Sequence, residues 1–452
     1  MVMPRTHHPA FSRATYGRSR RRQNVLTAAF LLAVFDDDSE QVHLRGRLLG
    51  SKNIKRTRKS VDEMFQQLGG YAKHAMKSDL QQFLHLHNLL RPYLEKEFGN
   101  GERRNGATVN GAVSTKLRLS AALRYFSGAS VYDIVLTHGM GRQTVYNSIY
   151  GVANAVNNCP EFVFNAFGAP FPSHEEQREI AAGFKMKSAA EFDKICLTVD
   201  GMLVWSDQPT EEDCADLNIG ARSFHCYRKD KYGLLLMAGC DHKCRFRWAD
   251  ISHPGSTSDY TAFVTSQLGI DLMDPDQEIV AEDHTMVGDN AFVETPTMAI
   301  PLPGKFLSQH QDAYNFYLSQ VRITIERAFG ILVHRFGILR SPMNVSIKKI
   351  PAIVMCLMRL HNYYIDHCGR NCSRPWEEDE RRIQYRAWRA KSTAVTLNRH
   401  RCPEDLLGSG HHFDDVEKDR RKKKRAVNGK TPMRRMMEMI IEKDLSRPKV
   451  TR

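Results

Sequence analysis

The sequence predicts an α/β protein in which a mixed sheet with covering helices follows an all-helical region. Between residues 61 and 160, apolar residues recur three, four and seven positions apart, which is the period of helices buried on one side. From residue 193 the pattern changes to short β-rich runs, interrupted by turns and by a long helical stretch. Strands in a meander, followed by alternating helix and strand, predict a layered plan with a mixed sheet.

Composition divides the 452 residues into four segments, in line with the two or three structural units expected at this length. Residues 1–60 are rich in Arg, Lys and Ser and predict a flexible basic arm. Residues 61–160 predict a helical region, and residues 190–368 predict the α/β domain. Residues 369–452 are polar and basic, and we expect them to be largely disordered.

The bulk composition points to a polyanionic partner. The formal net charge is +14, and each Lys or Arg that neutralises a phosphate releases a counterion. Ten cysteines show no disulfide framework, which indicates a reducing compartment. The apolar run at residues 25–35 lacks a small-residue cleavage site and predicts a short buried helix rather than a signal peptide. No run has the roughly 18 apolar residues of a membrane span, so we expect no membrane partner.

A compact cationic block occupies residues 420–425, Arg-Arg-Lys-Lys-Lys-Arg. Such a run is compatible with a solvated tail, a nuclear-import signal or an arm that binds phosphates. Together with the expected polyanionic partner, the block predicts that the protein resides in the nucleus.

Three short helical patterns lie between residues 114 and 155. Ser114 is positioned to cap the first helix and Ser130 the second. The stretch His-Gly-Met-Gly at 138–141 predicts a tight turn, after which a third helix begins near Arg142. This is the spacing of a helix-turn-helix, although any three-helix bundle could share it.

The outward face of the third helix carries donors, amides and aromatic rings. Such side chains can read base edges or hold phosphates, and a solvated polar face is the alternative. The candidate DNA-binding residues are Arg142, Gln143, Tyr146, Asn147 and Tyr150.

The second half of the chain predicts strands and helices in a definite order. The first strand ends at Asp200, and the second and third form a hairpin. The expected elements are strands at 195–199, 234–240 and 245–251, a helix at 258–268, a strand at 285–287 and a helix at 313–333.

Four acidic residues in this half could meet at one sheet edge: Asp200, Asp259, Asp289 and Glu326. Mg²⁺ and similar cations take oxygen ligands from a few convergent carboxylates on separate rigid elements. Taken singly, each acid also has a structural explanation. Asp200 and Asp289 could lie in turns, Asp259 could cap a helix, and Glu326 could pair with Arg322 one helical turn earlier.

The acidic residues stand in blocks that resemble the PIF/Harbinger transposases and the nucleases derived from them. The resemblance covers roughly residues 114–366. It rests on Thr-Val-Asp-Gly at 198–201, Pro-Gly-Ser-Thr-Ser-Asp at 254–259, Gly-Asp at 288–289, Ile-Glu-Arg-Ala-Phe-Gly at 325–330, Arg-Phe at 335–336 and Leu-His-Asn at 360–362.

The resemblance implies an RNase H-like DDE catalytic core preceded by a helix-turn-helix. It implies that Asp200, Asp289 and Glu326 are the catalytic triad and that Asp259 joins them in binding Mg²⁺ or Mn²⁺. DNA is then the substrate, and a separate DNA-binding accessory protein and a homo-oligomer are compatible partners. The sequence departs from the family where Met202 and Leu203 follow the first block in place of the common Thr-His.

Two functions follow from these expectations. The first is a divalent-metal-dependent DNA endonuclease or transposase, in which two ions activate the attacking water or 3′ hydroxyl and stabilise the leaving oxygen. The second is a domesticated DNA-binding or adaptor protein that keeps the fold without cleaving DNA. Metal binding and Mg²⁺-dependent cleavage separate the two.

Overall fold

The computed structural model describes residues 56–99, 111–162, 165–166, 171–274, 276–304, 306–367 and 431–448. The helix expected at 25–35, the basic block at 420–425 and nearly all of the arm at 1–60 lie outside these residues.

The first described part of the chain is helical, as its periodicity predicts. Side chains at helix N-termini accept from the backbone amides three residues later: Ser114 accepts from Leu117 and Ser130 from Asp133. Gly139 has a φ of 60° in the turn before the third predicted helix. The helices are α1 (Val61–Leu68), α2 (Ala72–Met76), α3 (Leu80–Phe98), α4 (Thr115–Phe126), α5 (Val131–His138) and α6 (Arg142–Asn158).

Helix α3 continues through Pro92, which lies well inside it. Proline normally breaks a helix because it removes one backbone hydrogen bond and its ring crowds the preceding turn. Here Pro92 lies on the exposed face, where water can bond the carbonyl that loses its partner. The buried stripe of Phe83, Leu86, Leu90 and Leu94 extends on both sides of the proline and holds the helix together.

A mixed sheet forms the centre of the second half, as predicted. Its order is β1-β5-β4-β2-β6-β7, and β3 pairs with β4. β2, β4 and β5 form an antiparallel meander, whereas β6 lies parallel to β2. The strands are β1 (Asn165–Ala166), β2 (Ile195–Trp205), β3 (His225–Cys226), β4 (Lys231–Cys240), β5 (Phe246–Pro254), β6 (Thr285–Val287) and β7 (Met298–Ala299).

Two predicted boundaries in this half are wrong. β2 does not end at Asp200 but runs to Trp205, because Leu203 and Val204 are buried and β4 pairs with the strand over its whole second half. The helix expected at 258–268 divides into α9 (Asp259–Thr265) and α10 (Gln267–Asp271). Ser266 ends the first of these and caps the second, so it competes with the helical backbone for hydrogen bonds.

Helices cover the sheet and join it to the first half. α11 (Gln309–Arg335) and α7 (His174–Lys185) pack against β2, and α12 (Ile350–His367) packs against both α6 and β5. One continuous apolar core therefore joins helices α1–α6 and α12 to the sheet. α8 (Glu211–Leu217) follows β2. The expectation of disorder at 369–452 is wrong for α13 (Pro432–Glu442), which packs against α11 because its Met436 and Ile440 are buried there.

Three cysteines in apolar runs, Cys196, Cys240 and Cys356, are buried with free thiols, as expected of small apolar side chains. Within the described ranges, the helices are all too short or too polar to span a bilayer.

Candidate functional site

Strand register brings Asp200 and Asp289 to the same level of the sheet. Thr198 of β2 lies beside Val287 of β6 in a parallel pair, and each aspartate follows two residues after its member of that pair. Neighbouring strands are about 4.8 Å apart, and residues two apart face the same side. β6 ends at Val287, so β2 has an open edge on that side from Asp200 onward, and the two carboxylates lie at this edge.

Asp259 reaches the same place from the first turn of α9. Ser258 caps this helix by accepting from the amide of Thr261. The carboxylate then lies against the backbone of β2, where a Cβ on Gly201 would be only 2.4 Å from Asp259 Oδ1. Gly201 is therefore needed for close approach, and this explains why glycine follows Asp200.

The three aspartates influence one another electrostatically. Burial raises the pKa of Asp200 to about 6, and the charges of Asp289 and Asp259 act in the same direction. The amide of Gly201, which donates to Asp200 Oδ1 at 2.8 Å, opposes the rise. Burial and then Asp289 also raise the pKa of Asp259, although Arg228 and Lys229 oppose that rise.

Glu326 lies on α11 and is half-exposed, with 46% of its side chain accessible. Its Oε1 is 2.5 Å from Nη2 of Arg322, one helical turn earlier. The charge of Arg322 also lowers the pKa of Asp200, so this guanidinium acts on both Asp200 and Glu326. The structure thus brings three of the four predicted acids together and holds the fourth in an ion pair.

The acids do not form a closed site as they stand. Among the residues that the structure describes, no three His, Cys, Asp or Glu side chains are arranged to hold a metal ion. Asp241, an acid that directly follows β4, could not serve as a further ligand: it is fully buried, accepts from the amides of Lys243 and Arg245, and accepts from the Arg245 guanidinium in the β4–β5 turn. Met202 contributes no polar group and packs against the main core.

Sequence reasoning missed the cations around the acids. The sequence pattern predicts Arg322 only as a helix-surface partner of Glu326 and assigns no role to Arg228 or Lys229. The signal for Arg322 was its spacing of one turn before Glu326. Its action on Asp200 depends on how α11 packs against β2, which periodicity does not specify.

The predicted DNA-binding face of α6 lines a cleft of about 540 Å³. Tyr146 and Tyr150 stack with ring centroids 6.4 Å apart, and the Arg142 guanidinium lies over Tyr146 at 5.8 Å. Gln143 donates to Asn147 at 2.9 Å, so these two amides orient each other. The opposite wall is formed by residues 207–210, 213 and 344–347.

The shifted pKa of Asp200 has a consequence for stability. Because the pKa rises from 3.8 to about 6 on folding, the folded state takes up a proton between these values, and stability falls as the pH rises through this window. Asp200→Asn keeps the acceptor for Gly201 but carries no charge. We expect its gain in stability over the wild type, measured by urea unfolding in EDTA, to be larger at pH 8 than at pH 5.

The matched control is Asp207→Asn, which removes an exposed carboxylate two residues after β2 ends. Its effect should be small and nearly the same at both pH values. If the difference in stability between Asp200→Asn and the wild type is the same at pH 5 and at pH 8, the ionised Asp200 does not destabilise the fold.

Comparison with known proteins gives one family match. Residues 199–362 match the family model described as DDE superfamily endonuclease. No curated protein and no solved structure matches the chain. The matched segment contains Asp200, Asp259, Asp289 and Glu326, and it does not distinguish a PIF/Harbinger type from the rest of the superfamily. The part of the chain that carries the four acids is therefore similar to the DDE superfamily endonucleases, a group of transposase-like nucleases.

Proposed function

We propose that the protein is a divalent-metal-dependent DNA endonuclease of the transposase type, with an RNase H-like core of the PIF/Harbinger kind. The observation that carries the proposal is the gathering of Asp200, Asp259 and Asp289 at the open edge of β2, inside the segment that matches the endonuclease family. Carboxylates gathered in this way repel one another, and a bound cation removes that cost.

The donor set fits a hard divalent cation. The four candidate ligands offer only carboxylate oxygens, which suit Mg²⁺ or Mn²⁺. Asp200, Asp289 and Glu326 would hold the metal, and Asp259 would support them. When bound, such a cation supplies charge stabilisation to a phosphodiester and lowers the pKa of a coordinated water.

The side chains of this chain have separable roles in the proposal. The amide of Gly201 fixes the orientation of Asp200, and the missing side chain of Gly201 lets Asp259 approach. Arg322 balances the negative charge of Asp200 and Glu326 while they hold no cation. Glu326 must leave Arg322 to join the aspartates, and a half-exposed side chain on a helix can do so by rotation.

The proposal predicts that Glu326→Ala abolishes nicking of supercoiled DNA in Mg²⁺. A lost ligand should lower the rate at least about 100-fold, since even the partners of metal ligands cost 10–100-fold when removed. DNA binding measured by fluorescence anisotropy in EDTA should remain nearly unchanged, because Glu326 adds negative charge and contributes nothing to phosphate binding.

Glu95→Ala is the matched control, because Glu95 also forms an exposed ion pair with an arginine one turn earlier, Arg91, at 2.7 Å. It should nick DNA like the wild type. Equal nicking by the wild type and Glu326→Ala would contradict the assignment. A wild type that binds DNA but neither nicks it nor binds Mg²⁺ in calorimetry would instead indicate the domesticated, non-cleaving protein.

We also propose that α6 is the recognition helix of a helix-turn-helix. Arg142, Gln143 and Asn147 are exposed at its N-terminal half, beside the stacked rings of Tyr146 and Tyr150. Exposed amides can pair with base edges, and an arginine near aromatic rings can contact guanine or phosphate. The cleft in front of them has room for part of a DNA strand.

Gln143→Ala tests this role without changing charge. For duplexes selected from a randomised pool by the wild type, we expect a loss of about 1–3 kcal/mol in binding, which is the worth of a good bidentate base contact. Binding to unrelated duplexes should not change. Gln81→Ala, which removes an exposed glutamine on α3, is the control. A uniform loss for all duplexes, or none, would contradict base recognition by α6.

A further inference from the structure

Three segments distant in sequence meet where the helical region contacts the end of α11. Lys77 ends α2 in the left-handed region, with a φ of 60°. Ser127, just after α4, donates its hydroxyl to the carbonyl of Ala75 at 3.0 Å. The carbonyl oxygen of Ser127 would lie 2.4 Å from a Cβ on Gly337, in the turn after α11. The ends of α2, α4 and α11 are therefore in close backbone contact.

Each of these segments brings a cation to the junction. Arg124 lies in the last turn of α4, Arg335 is the last residue of α11, and Arg340 ends the turn that follows. Arg335 donates to the carbonyl of His361 at 3.0 Å, and Arg340 donates to the carbonyl of His334 at 2.6 Å. Bonds to carbonyls orient both guanidinium groups.

Lys77 is the unsatisfied member of this group. It is half-buried, and within the described ranges of the chain no acceptor bonds its ammonium. Burial and then the charges of Arg340, Arg335 and Arg124 lower its pKa to about 8.

The nearby acids are already engaged. Asp79 accepts from the amide of Gln82 at the start of α3 and lies 3.9 Å from Lys73. Asp133 lies 3.4 Å from Arg124 and is half-exposed. Among the described residues Lys77 is thus a half-buried cation near three arginines with no acidic partner, and such a cation is costly.

We propose that this junction cluster, Lys77 with Arg124, Arg335 and Arg340, binds a backbone phosphate of DNA. A phosphate supplies the missing acceptor for Lys77 and offsets its repulsion by the three arginines. The proposal rests on the proposed function, because it takes the phosphate from a DNA strand.

The cluster is separate from the place of cleavage. Arg335 follows Glu326 by nine residues on α11 (335 − 326 = 9), which is about 13 Å along the helix axis. At about 100° per residue, nine residues also place the two side chains on opposite sides of the helix. The bound phosphate therefore belongs to flanking DNA, so a defect in the cluster should appear in binding and not in the chemical step.

The test is DNA binding by Lys77→Met, measured by fluorescence anisotropy in EDTA over a range of salt concentrations. One phosphate contact contributes about 0.9 to the slope of log affinity against log salt, so the slope should fall by about 0.9. Relative to 1 M salt, a slope difference of about 0.9 corresponds to a loss of about 8-fold in DNA affinity at 0.1 M salt. The loss should be uniform across DNA sequences.

Lys73→Met is the matched control, because it removes an equal charge from a more exposed lysine on α2 that lies near Asp79. We expect it to weaken binding less than about 2-fold, as a surface charge contributes little. Lys77→Met that binds DNA as tightly as Lys73→Met would overturn the proposal.

Lys77→Arg keeps a positive charge at this position and allows a second measurement, the pH dependence of DNA binding. The phosphate raises the pKa of Lys77, so wild-type binding should take up a proton and weaken as the pH rises from 7 to 9 through the free value of about 8. The facing groups Arg124, Arg335 and Arg340 stay charged over this range. Lys77→Arg should bind tightly with no such pH dependence, and a wild-type pH profile in this variant would also overturn the proposal.

The outcomes separate the cluster from the nuclease function. If nicking depends on Glu326 while Lys77→Met binds like Lys73→Met, only the junction cluster fails. If Lys77→Met lowers the salt slope while the wild type does not nick DNA, the cluster stands and the nuclease function fails. Inorganic phosphate that binds the wild type but not Lys77→Met, while both proteins bind DNA equally at every salt concentration, would make free phosphate the occupant and overturn the DNA assignment.

Discussion

The repulsion among carboxylates at the open edge of β2 is the constraint on which the candidate site depends. Asp200, Asp259 and Asp289 come from a strand, a helix and a loop. Burial raises the pKa of Asp200 and Asp259, and the charges of the neighbouring aspartates add to that rise. Proteins rarely keep such a strain without a use for it, and perturbed acids in a shared site are typical of functional centres. Arg322 supplies part of the compensating charge from α11.

Strand register, one glycine and helix packing fix the positions of these acids. The parallel register of β2 and β6 sets Asp200 beside Asp289, and a glycine at 201 leaves the space that Asp259 fills. α11 packs against the same central strand and carries Glu326 on its exposed side. The same helix ends at the junction with α2 and α4, so one rigid element connects the acids to a group of cations about 13 Å away. Negative and positive regions are thus held on one core, an arrangement that suits the proposed cleavage of DNA.

Much of this plan could be predicted from sequence. Ser114 and Ser130 predicted two helix starts, and β-rich runs around 195 and 285 predicted the strands that carry Asp200 and Asp289. The end of β2 could not be predicted, because an aspartate followed by glycine is typical of a turn, whereas here pairing with β4 extends the strand. The spacing of one helical turn predicts that Glu326 pairs with Arg322. The effect of Arg322 on Asp200 depends on tertiary packing, which local spacing does not specify. The junction cluster combines residues 77, 124, 335 and 340, and no local pattern predicts their contact.

The central claim is that Asp200 and Asp289 share a divalent cation and that Glu326 exchanges Arg322 for it. The most direct measurement is the position of Mn²⁺ in crystals of the protein, located by anomalous scattering. We expect one ion between the carboxylates of Asp200 and Asp289, with the Arg322–Glu326 ion pair opened. The opposite result is that Mn²⁺ at a saturating concentration binds elsewhere and leaves the aspartates without metal and the Arg322–Glu326 ion pair intact. That result would contradict the account.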